Sequence, residues 1–261
     1  MRVTVTTPLH PRSDERAAAR AAADRHGLPF AERGRRSLPE VAREAGAEAL
    51  LVLSPRAAAL WLDGAERRWD PGMGALRLKR LDKAGDPTAD PFLAAAAIRP
   101  GERILDCTLG LGADALVAAA AAGPEGRVVG LEASPALAAL VAEGLARHPH
   151  PAARRVEARA GDAAALLAGL PAGSFDLVCF DPMFRYGRAE PPGFDLVRRL
   201  ADPRPLAPET LREARRVARR AVLVKDGAPG WDLARLGLAP LPSARGAKRY
   251  YARVEPLREP G

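Results

Sequence analysis

Short apolar segments alternate with helical patterns along the second half of this chain. The apolar segments are five to seven residues long, as buried strands are, and they lie at 103–107, 127–132, 155–159, 175–181 and 221–225. Apolar residues recur with helical spacing at 113–122, 134–147 and 163–168, and one or two further helices are expected between 193 and 219. This alternation predicts βαβ units and an α/β fold with a parallel, doubly wound sheet.

The end of the chain follows a different pattern. Residues 238–241 and 249–254 are strand-like, and no helical pattern separates them. They predict an antiparallel hairpin at the edge of the sheet, which brings the expected total to seven strands, most of them parallel. Sheets of this kind bind ligands at the carboxyl ends of their strands, so we expect the functional residues there.

The first 82 residues predict a separate, small α/β domain. Ser13 and Gly27 stand where a helix is expected to begin and end. Polar residues, glycine and proline cluster at 82–91, which is typical of a linker. The sequence therefore predicts one domain at 1–82 and a second at 83–261. Within the first, strands are expected at 2–6, 49–53, 58–62 and 67–69, and helices at 13–26 and 38–45.

Composition narrows the class of protein. The chain has 261 residues, 48% of them hydrophobic, which is enough for one large or two smaller globular domains. Its longest uncharged apolar stretches, 91–98 and 115–123, are well short of the roughly 18 residues that cross a bilayer. Residues 1–6 alternate like a strand and lack the features of a signal peptide, so we expect a cytoplasmic protein with no membrane segment. Two cysteines and four histidines show no ligand spacing, so no metal is expected.

The charge of the chain suits a polyanionic partner. Forty basic residues against 32 acidic ones leave a net charge of +8, and the excess is densest at 185–220, where ten arginines accompany five acidic residues. Such a stretch can bind RNA, although a solvated helix face is the more common explanation. The candidate RNA contacts are Arg185, Arg212, Arg216 and Lys225, the last of which is alternatively a simple surface lysine.

A first motif that carries chemistry follows the strand at 103–107. Ile104-Leu-Asp-Cys-Thr-Leu-Gly-Leu-Gly-Ala-Asp114 joins an apolar strand, an acid, a glycine loop and a helix start. Glycines let the backbone approach a ligand, and the helix start offers free N–H groups. The glycines would also suit a dinucleotide, but Asp106 would repel a pyrophosphate and attract the ammonium and sulfonium groups of S-adenosylmethionine. The candidate cofactor-binding residues here are Asp106, Thr108, Gly110 and Gly112.

Acidic residues also follow the next two strands. Glu132 comes 20 residues after Gly112, where a carboxylate can accept both hydroxyls of a ribose. Asp162 follows the third strand, where it can reach an adenine edge. Taken singly, each acid is as easily explained as a helix N-cap. Acids at the ends of three successive strands are harder to explain as caps, and they favour an adenosyl-binding edge.

The fourth strand leads into Asp181-Pro182-Met183-Phe184, which is similar to the Asp/Asn-Pro-Pro-aromatic motif of methyltransferases that act on nucleobase amines. In that motif the acid and a backbone carbonyl hold the amine hydrogens, and the ring stacks on the base. The resemblance implies that Asp181, Pro182 and Phe184 are catalytic. Since a sulfonium is already an activated donor, positioning the amine supplies most of the catalysis. The alternative is a proline-capped strand end with a core phenylalanine.

Together with Val222-Leu-Val-Lys225, these motifs resemble the bacterial class I methyltransferases that include the small-subunit ribosomal RNA guanine-N2 methyltransferase. That family's motifs read Asp-Ala-Thr-Ala-Gly-Leu-Gly-x-Asp and Asp-Pro-Met-Phe-Pro. The resemblance covers about residues 78–254 and implies a Rossmann-like fold with S-adenosylmethionine as cofactor. Arg185 replaces the family's proline and the N-terminal unit looks different, which indicates a sister branch. The donor contacts that the resemblance implies are Ala113, Asp114, Glu132, Ala133, Asp162, Ala163 and Asp181.

The sequence therefore predicts an S-adenosylmethionine-dependent enzyme that methylates a nucleobase amine of RNA, with guanine N2 of ribosomal RNA as the first candidate. A methyltransferase that acts on a small molecule or a protein side chain is the alternative. Asp106 argues against a nicotinamide-dependent dehydrogenase. A non-catalytic RNA-binding module would have no reason to keep a complete donor site.

Overall fold

The computed structural model describes residues 1–182, 194–243 and 246–257, and it contains two β-sheets. The first sheet has four strands in the order β1-β2-β3-β4, with β1 and β2 parallel and the other pairs antiparallel. Helices α1 (Ser13–Arg25) and α2 (Leu38–Glu44) accompany it. Its strands are β1 (Val3–Thr6), β2 (Ala49–Leu53), β3 (Ala58–Leu62) and β4 (Ala65–Arg68).

The second sheet confirms the predicted α/β, doubly wound fold. Its strands are β5 (Arg103–Asp106), β6 (Arg127–Glu132), β7 (Val156–Ala160), β8 (Phe175–Phe180), β9 (Ala218–Gly227) and β10 (Arg249–Val254). They lie in the order β10-β9-β8-β5-β6-β7, and all neighbours are parallel except the β9–β10 pair. The chain winds outward from β5 through β6 to β7 and then crosses to β8 on the other side of β5. A ligand cleft is expected at this reversal of strand order.

Helices cover both faces of the second sheet. Alternate residues of the central strands point to opposite faces: Ile104 and Leu177 pack with helices α3 to α6, and Leu105 and Val178 pack with α7, α9 and α10. Because both faces are covered, these strands appear in the sequence as continuous apolar runs. The helices are α3 (Met73–Ala84), α4 (Pro91–Ala96), α5 (Ala113–Ala121), α6 (Pro135–Arg147), α7 (Ala163–Gly169), α8 (Phe194–Leu200), α9 (Pro208–Val217) and α10 (Trp231–Arg235).

The predicted edge hairpin is only half present. β10 is antiparallel to β9 as expected, but residues 238–241 do not form a strand, so the sheet has six strands in the described part of the chain instead of seven. A single backbone hydrogen bond, from Leu241 N to Tyr251 O at 2.7 Å, joins this segment to β10. The physical reason is local, because Pro240 and Pro242 have no N–H to donate to a ladder.

The segment that resembles a linker is mostly helical. Helix α3 continues to Ala84, and Asp90 begins α4 by accepting hydrogen bonds from the backbone N–H groups of Phe92 and Leu93 at 3.0 and 3.1 Å. Helix α3 also lies directly against α5, since a Cβ on Gly74 would stand 3.0 Å from the Cα of Ala113. The division of the chain at residue 82 stays a prediction, but α3 runs through that point and packs on the second sheet's helices.

Helix α6 joins the two sheets. Trp69 lies over Gly144 and donates a 3.2 Å hydrogen bond from its indole N–H to the carbonyl of Leu111. The buried carboxylate of Glu143 accepts hydrogen bonds from Arg25 and Arg147 and lies 3.0 Å from the His26 ring. The first unit is therefore fixed against the helix that follows β6. No helix in residues 1–182, 194–243 and 246–257 is long and apolar enough to cross a membrane.

Candidate active site

Charged side chains meet where the central strands of the second sheet end. Asp106 ends β5, Glu132 ends β6, Asp181 follows β8, and Lys225 lies near the end of β9. A small cavity at the strand reversal brings three of them together with Asp114, the second residue of α5. Its apolar lining consists of Phe92, Cys179, Phe180 and Leu223. The predicted convergence of polar residues at this edge is therefore present in the fold.

The glycine loop between β5 and α5 is tied to both neighbouring strands. Asp106 Oδ1 accepts a 3.0 Å hydrogen bond from the backbone N–H of Thr108, and the Thr108 hydroxyl accepts one of 2.6 Å from the N–H of Asp181. On the other side, the N–H of Gly110 donates to Glu132 Oε2 at 3.1 Å. Gly110 and Gly112 have φ angles of 51° and 81°, which glycine adopts without strain. Hydrogen bonds to Asp106, Glu132 and Asp181 thus hold the loop at the reversal of strand order.

Lys225 is the centre of a buried ionic network. Its Nζ donates to Asp114 Oδ2 at 2.9 Å and to Asp181 Oδ2. Arg77 of α3 pairs with Asp114 from the other side and holds Asp90 through two hydrogen bonds of 2.6 and 3.0 Å. The interpretation of Lys225 as a surface residue is wrong, because only 11% of its side chain is exposed.

Burial and charge shift the pKa values of this network in opposite directions. For Asp114, burial disfavours the charged form, but Lys225 and Arg77 outweigh it and lower the pKa below its usual range. For Lys225, burial opposes the charge, yet Asp114 and Asp181 raise the pKa further. Asp106 forms no salt bridge with the residues that the structure describes, and burial, together with the charges of Asp114 and Asp181, raises its pKa to about 7. Burial is also the largest cause of the raised pKa of Asp181.

The network carries more negative than positive charge. The cations are Lys225 and Arg77. Four carboxylates accompany them, so two negative charges are in excess when all of these groups are ionised; the carboxylates are those of Asp90, Asp106, Asp114 and Asp181. In addition, Asp181 Oδ1 is buried and has no hydrogen-bond partner among the residues that the structure describes. An unsatisfied buried acceptor is costly and points to a ligand that supplies a hydrogen bond or a positive charge.

The predicted adenosyl-binding acids, Glu132 and Asp162, lie at the carboxyl ends of β6 and β7, the two strands beyond β5 in the sheet. Glu132 is 4% exposed, and its oxygens accept from the backbone N–H groups of Gly110 and Ser134. Burial raises its pKa, although these N–H groups favour the charged form. Asp162 caps α7 through a 3.0 Å bond from Ala165 N and pairs with Arg204. Ala133 and Ala163 lie next to these acids in the chain, and Ala133 lines a second, open cavity. Their contacts with a donor stay predictions.

The arginines of α9 do not form the expected patch beside the site. Arg216 donates to the carbonyls of Leu167 and Leu170, and Arg219, at the start of β9, pairs with Asp176 at the start of β8. These contacts lie at the amino ends of parallel strands, opposite the cavity. Arg212 is exposed. Arg216 therefore ties α9 to α7, and a role for Arg212 and Arg216 in binding RNA stays a prediction.

Three predicted site residues remain, and the structure describes one of them. Pro182 directly follows Asp181 and is buried. Phe184 and Arg185 lie outside the described residues. No cluster of three metal-ligating side chains occurs within 1–182, 194–243 and 246–257.

Sequence reasoning missed the residues that α3 and α4 contribute, Arg77 and Phe92. The one available signal was Asp90-Pro91, an N-cap followed by a first-turn proline, which is typical of a helix start.

Comparisons with known proteins agree with this geometry. The sequence model of a family described as "Putative SAM-dependent methyltransferase" matches residues 74–234. The uncharacterized protein YpiP of Bacillus subtilis is 32% identical over 228 residues, which cover 85% of this chain and 88% of that protein. Ribosomal RNA small subunit methyltransferase J of Laribacter hongkongensis is 39% identical over 118 residues, 42% of this chain and 40% of that enzyme.

The fold has a solved counterpart. The crystal structure of an SAM-dependent methyltransferase from Neisseria gonorrhoeae superposes with a TM-score of 0.64 at 22% identity. The superposition covers 97% of this chain and 96% of that one, so both sheets have counterparts in a known architecture.

Proposed function

Because this chain belongs to the family of SAM-dependent methyltransferases, its cofactor is S-adenosylmethionine, and we propose that it transfers the methyl group to an amine of a nucleobase in RNA. The observation that carries the acceptor is Asp181, whose carboxylate follows β8 with one oxygen held and the other free among the described residues. Guanine N2 of ribosomal RNA is the first candidate, and the cytoplasm is the proposed location.

The residues at the strand ends fit the cofactor. The excess negative charge around Asp106 and the orphaned oxygen of Asp181 favour a ligand that carries ammonium and sulfonium groups. Glu132 lies 22 residues beyond Gly110 and contacts it, so it can serve the ribose while the loop contacts the rest of the donor. S-adenosylmethionine supplies an activated methyl group on a positively charged sulfur. We propose that Asp106, Glu132 and the loop from Thr108 to Asp114 hold it, with Asp162 at the adenine.

The geometry of Asp181 suits the binding of an amine. Lys225 holds Oδ2, which fixes the orientation of the carboxylate, and Oδ1 is available to accept a hydrogen from the amine. That hydrogen bond turns the nitrogen lone pair toward the donor. Burial raises the pKa of Asp181, which also makes Oδ1 a suitable acceptor for the proton that the nitrogen loses on methylation. Pro182 and Phe184 complete the proposed catalytic tetrapeptide, with Phe184 as the stacking face.

Support for RNA comes from two sources. Ribosomal RNA small subunit methyltransferase J is similar to this chain over 118 residues, and the chain carries a net charge of +8, which suits a polyanion. The similarity to YpiP is longer, but YpiP is uncharacterized and points to no substrate.

Methyl transfer from tritiated S-adenosylmethionine to total RNA tests the proposal. Asp181→Ala should remove most incorporation, and Asp181→Asn should keep part of it because an amide oxygen still accepts a hydrogen bond. Asp176→Asn, at the opposite end of the same strand, is the matched control and should keep full activity. Phe184→Leu should reduce turnover on RNA far more than donor binding, since stacking on an aromatic ring contributes about 1–3 kcal/mol per base.

The proposal has a clear contrary result. If Asp181→Ala binds the donor and methylates RNA at the rate of the unchanged protein, amine methylation at this residue is wrong. If label enters only protein or small molecules of a cell extract, the acceptor belongs to one of those classes instead of RNA.

A further inference from the structure

An exposed tryptophan stands beside the reaction centre and has no role in the site described so far. Trp231 begins α10 and is 64% exposed, whereas Trp61 and Trp69 are partly buried. Arg249 begins the neighbouring strand β10, Lys248 directly precedes it, and both are exposed. We call these three residues the Trp231 surface.

The backbone holds Trp231 firmly in this exposed position. Asp226 is buried, and its Oδ2 accepts hydrogen bonds from the N–H groups of Asp232 and Leu233 at 2.8 and 3.1 Å, which anchors the first turn of α10. The Ala228 N–H donates to the Lys248 carbonyl at 3.1 Å. An exposed indole offers a large apolar face on which a planar group of a partner can stack, and burying that face would be favourable.

The Trp231 surface meets the reaction centre at the end of the β9–β10 ladder, with α10 packed on one face of the sheet and Arg249 on the other. Asp226 directly follows Lys225, and Arg249 pairs with Gly227 across the β9–β10 ladder. Alternation along β10 places Arg249 on the same face of the sheet as Tyr251 and Lys225. The charge of Arg249 also acts on Asp181, whose pKa it lowers against the larger effect of burial. A chain that binds along this edge would therefore approach Asp181.

The cations of this surface are free to bind an anion. Within residues 1–182, 194–243 and 246–257, the side chains of Lys248 and Arg249 form no hydrogen bond or salt bridge, and both residues are exposed. By contrast, Arg215, Arg216 and Arg219 near the other edge are engaged with carbonyls and carboxylates. An exposed indole beside unpaired cations matches single-stranded nucleic acid, which offers a base to stack and phosphates to pair.

We propose that the Trp231 surface binds a single-stranded segment of the RNA next to the target nucleotide, with one flanking base stacked on Trp231 and phosphates paired with Lys248 and Arg249. This inference rests on the proposed function and deepens it, because it states how the acceptor is presented. The enzyme then recognises an unpaired loop or end, whose bases can be splayed out, and not a continuous duplex.

Binding of a fluorescein-labelled 12-nucleotide single-stranded RNA to the full chain, with S-adenosylhomocysteine present, tests the proposal. Trp231→Ala should weaken binding about ten-fold, within the range for one stacked base, and Trp231→Phe should recover part of it. RNA should also quench the indole fluorescence of the unchanged protein but not that of Trp231→Phe, because the other two tryptophans are partly buried. An exposed position makes both variants compatible with folding.

Salt dependence tests the phosphate contact separately. Lys248→Gln should reduce the slope of log affinity against log salt by about 0.7, the value for one phosphate on a single strand. Arg154→Gln removes one exposed charge just before β7, at the amino edge of the sheet, and should leave the slope unchanged.

The possible results separate the two proposals. If Trp231→Ala binds RNA as tightly as the unchanged protein, and that protein still methylates RNA, this surface is not the binding site and the proposed function stands. If the unchanged protein neither binds nor methylates RNA, both proposals are overturned. A Trp231→Ala variant that binds RNA more weakly while donor affinity is unchanged supports the inference.

Discussion

Replacing Lys225 with methionine should destabilise the protein by about 3–5 kcal/mol at pH 8, because it leaves buried carboxylates without their cation. Lys225 Nζ lies 2.9 Å from Asp114, and at an effective dielectric constant of about 20 two unit charges at that distance attract by about 6 kcal/mol. The cost of burying the ammonium offsets part of that attraction. Asp114 keeps Arg77, whereas Asp181 keeps no salt bridge within the described residues, so the larger loss falls on Asp181.

The loss should depend on pH in a defined direction. In the unchanged protein the pKa of Asp114 is lowered, so its contribution to stability is present above the unfolded value of about 3.9 and is lost as pH falls. In Lys225→Met the folded-state pKa of Asp114 should rise, and that of Asp181, which burial already raises, should rise further. Protonation then relieves the penalty at low pH, and the penalty grows as pH rises through those raised values. The two proteins should therefore differ most at pH 8 and least near pH 5.

Urea unfolding followed by circular dichroism at pH 8 and pH 5 measures both effects. Methionine keeps most of the volume of the lysine stem, so the loss reports the charge more than a cavity. Lys79→Met, on the exposed surface of α3, is the matched control and should change stability by less than about 0.5 kcal/mol. A loss below about 1 kcal/mol at pH 8, or an equal loss at both pH values, would show that Lys225 does not neutralise this cluster.

Three further predictions concern the donor site and the joint between the sheets. Glu132→Ala should weaken S-adenosylmethionine binding by about 1.5–3 kcal/mol in calorimetry, since a charged acceptor is lost, and an unchanged affinity would exclude it from the donor site. Gly144→Ala should lower the free energy of unfolding by about 1–3 kcal/mol, because its Cβ would lie 2.1 Å from the rigid ring of Trp69. Gly169→Ala, with nothing within 4 Å, is its control, and equal effects would contradict the reasoning. Affinity for the positively charged cofactor should rise between pH 6 and 8 as Asp106, whose pKa burial raises to about 7, ionises. Because the same pKa is raised, the stability that Asp106 contributes is present below about pH 3.9 and is lost as the pH rises through 7. Asp106→Asn should flatten the pH dependence of both cofactor affinity and stability.

The elements that could be predicted from sequence are those whose signals are local. Strands β5, β6 and β8 are apolar runs because both faces of a parallel sheet are covered. Such a run is visible in the local sequence, whichever residues later pack against it. The acids Asp106 and Glu132 could also be located, because parallel strands bring their carboxyl ends to one edge whatever their order. The segment at 238–241 was predicted wrongly as a strand, since its apolar residues outweighed the two prolines that prevent pairing.

The charges of the site were decided by tertiary structure alone. Lys225 meets Asp181 and Asp114 across 44 and 111 residues of sequence, and Arg77 meets Asp114 across 37. These pairs exist only because β9, β8 and β5 are neighbours and α3 packs on α5. An isolated lysine or arginine in a sequence looks exposed, since burying it is unfavourable until a carboxylate neutralises it. The same reason explains why Arg216 and Arg219 looked like part of a surface patch in the sequence, although one is tied to carbonyls of α7 and the loop after it and the other to Asp176.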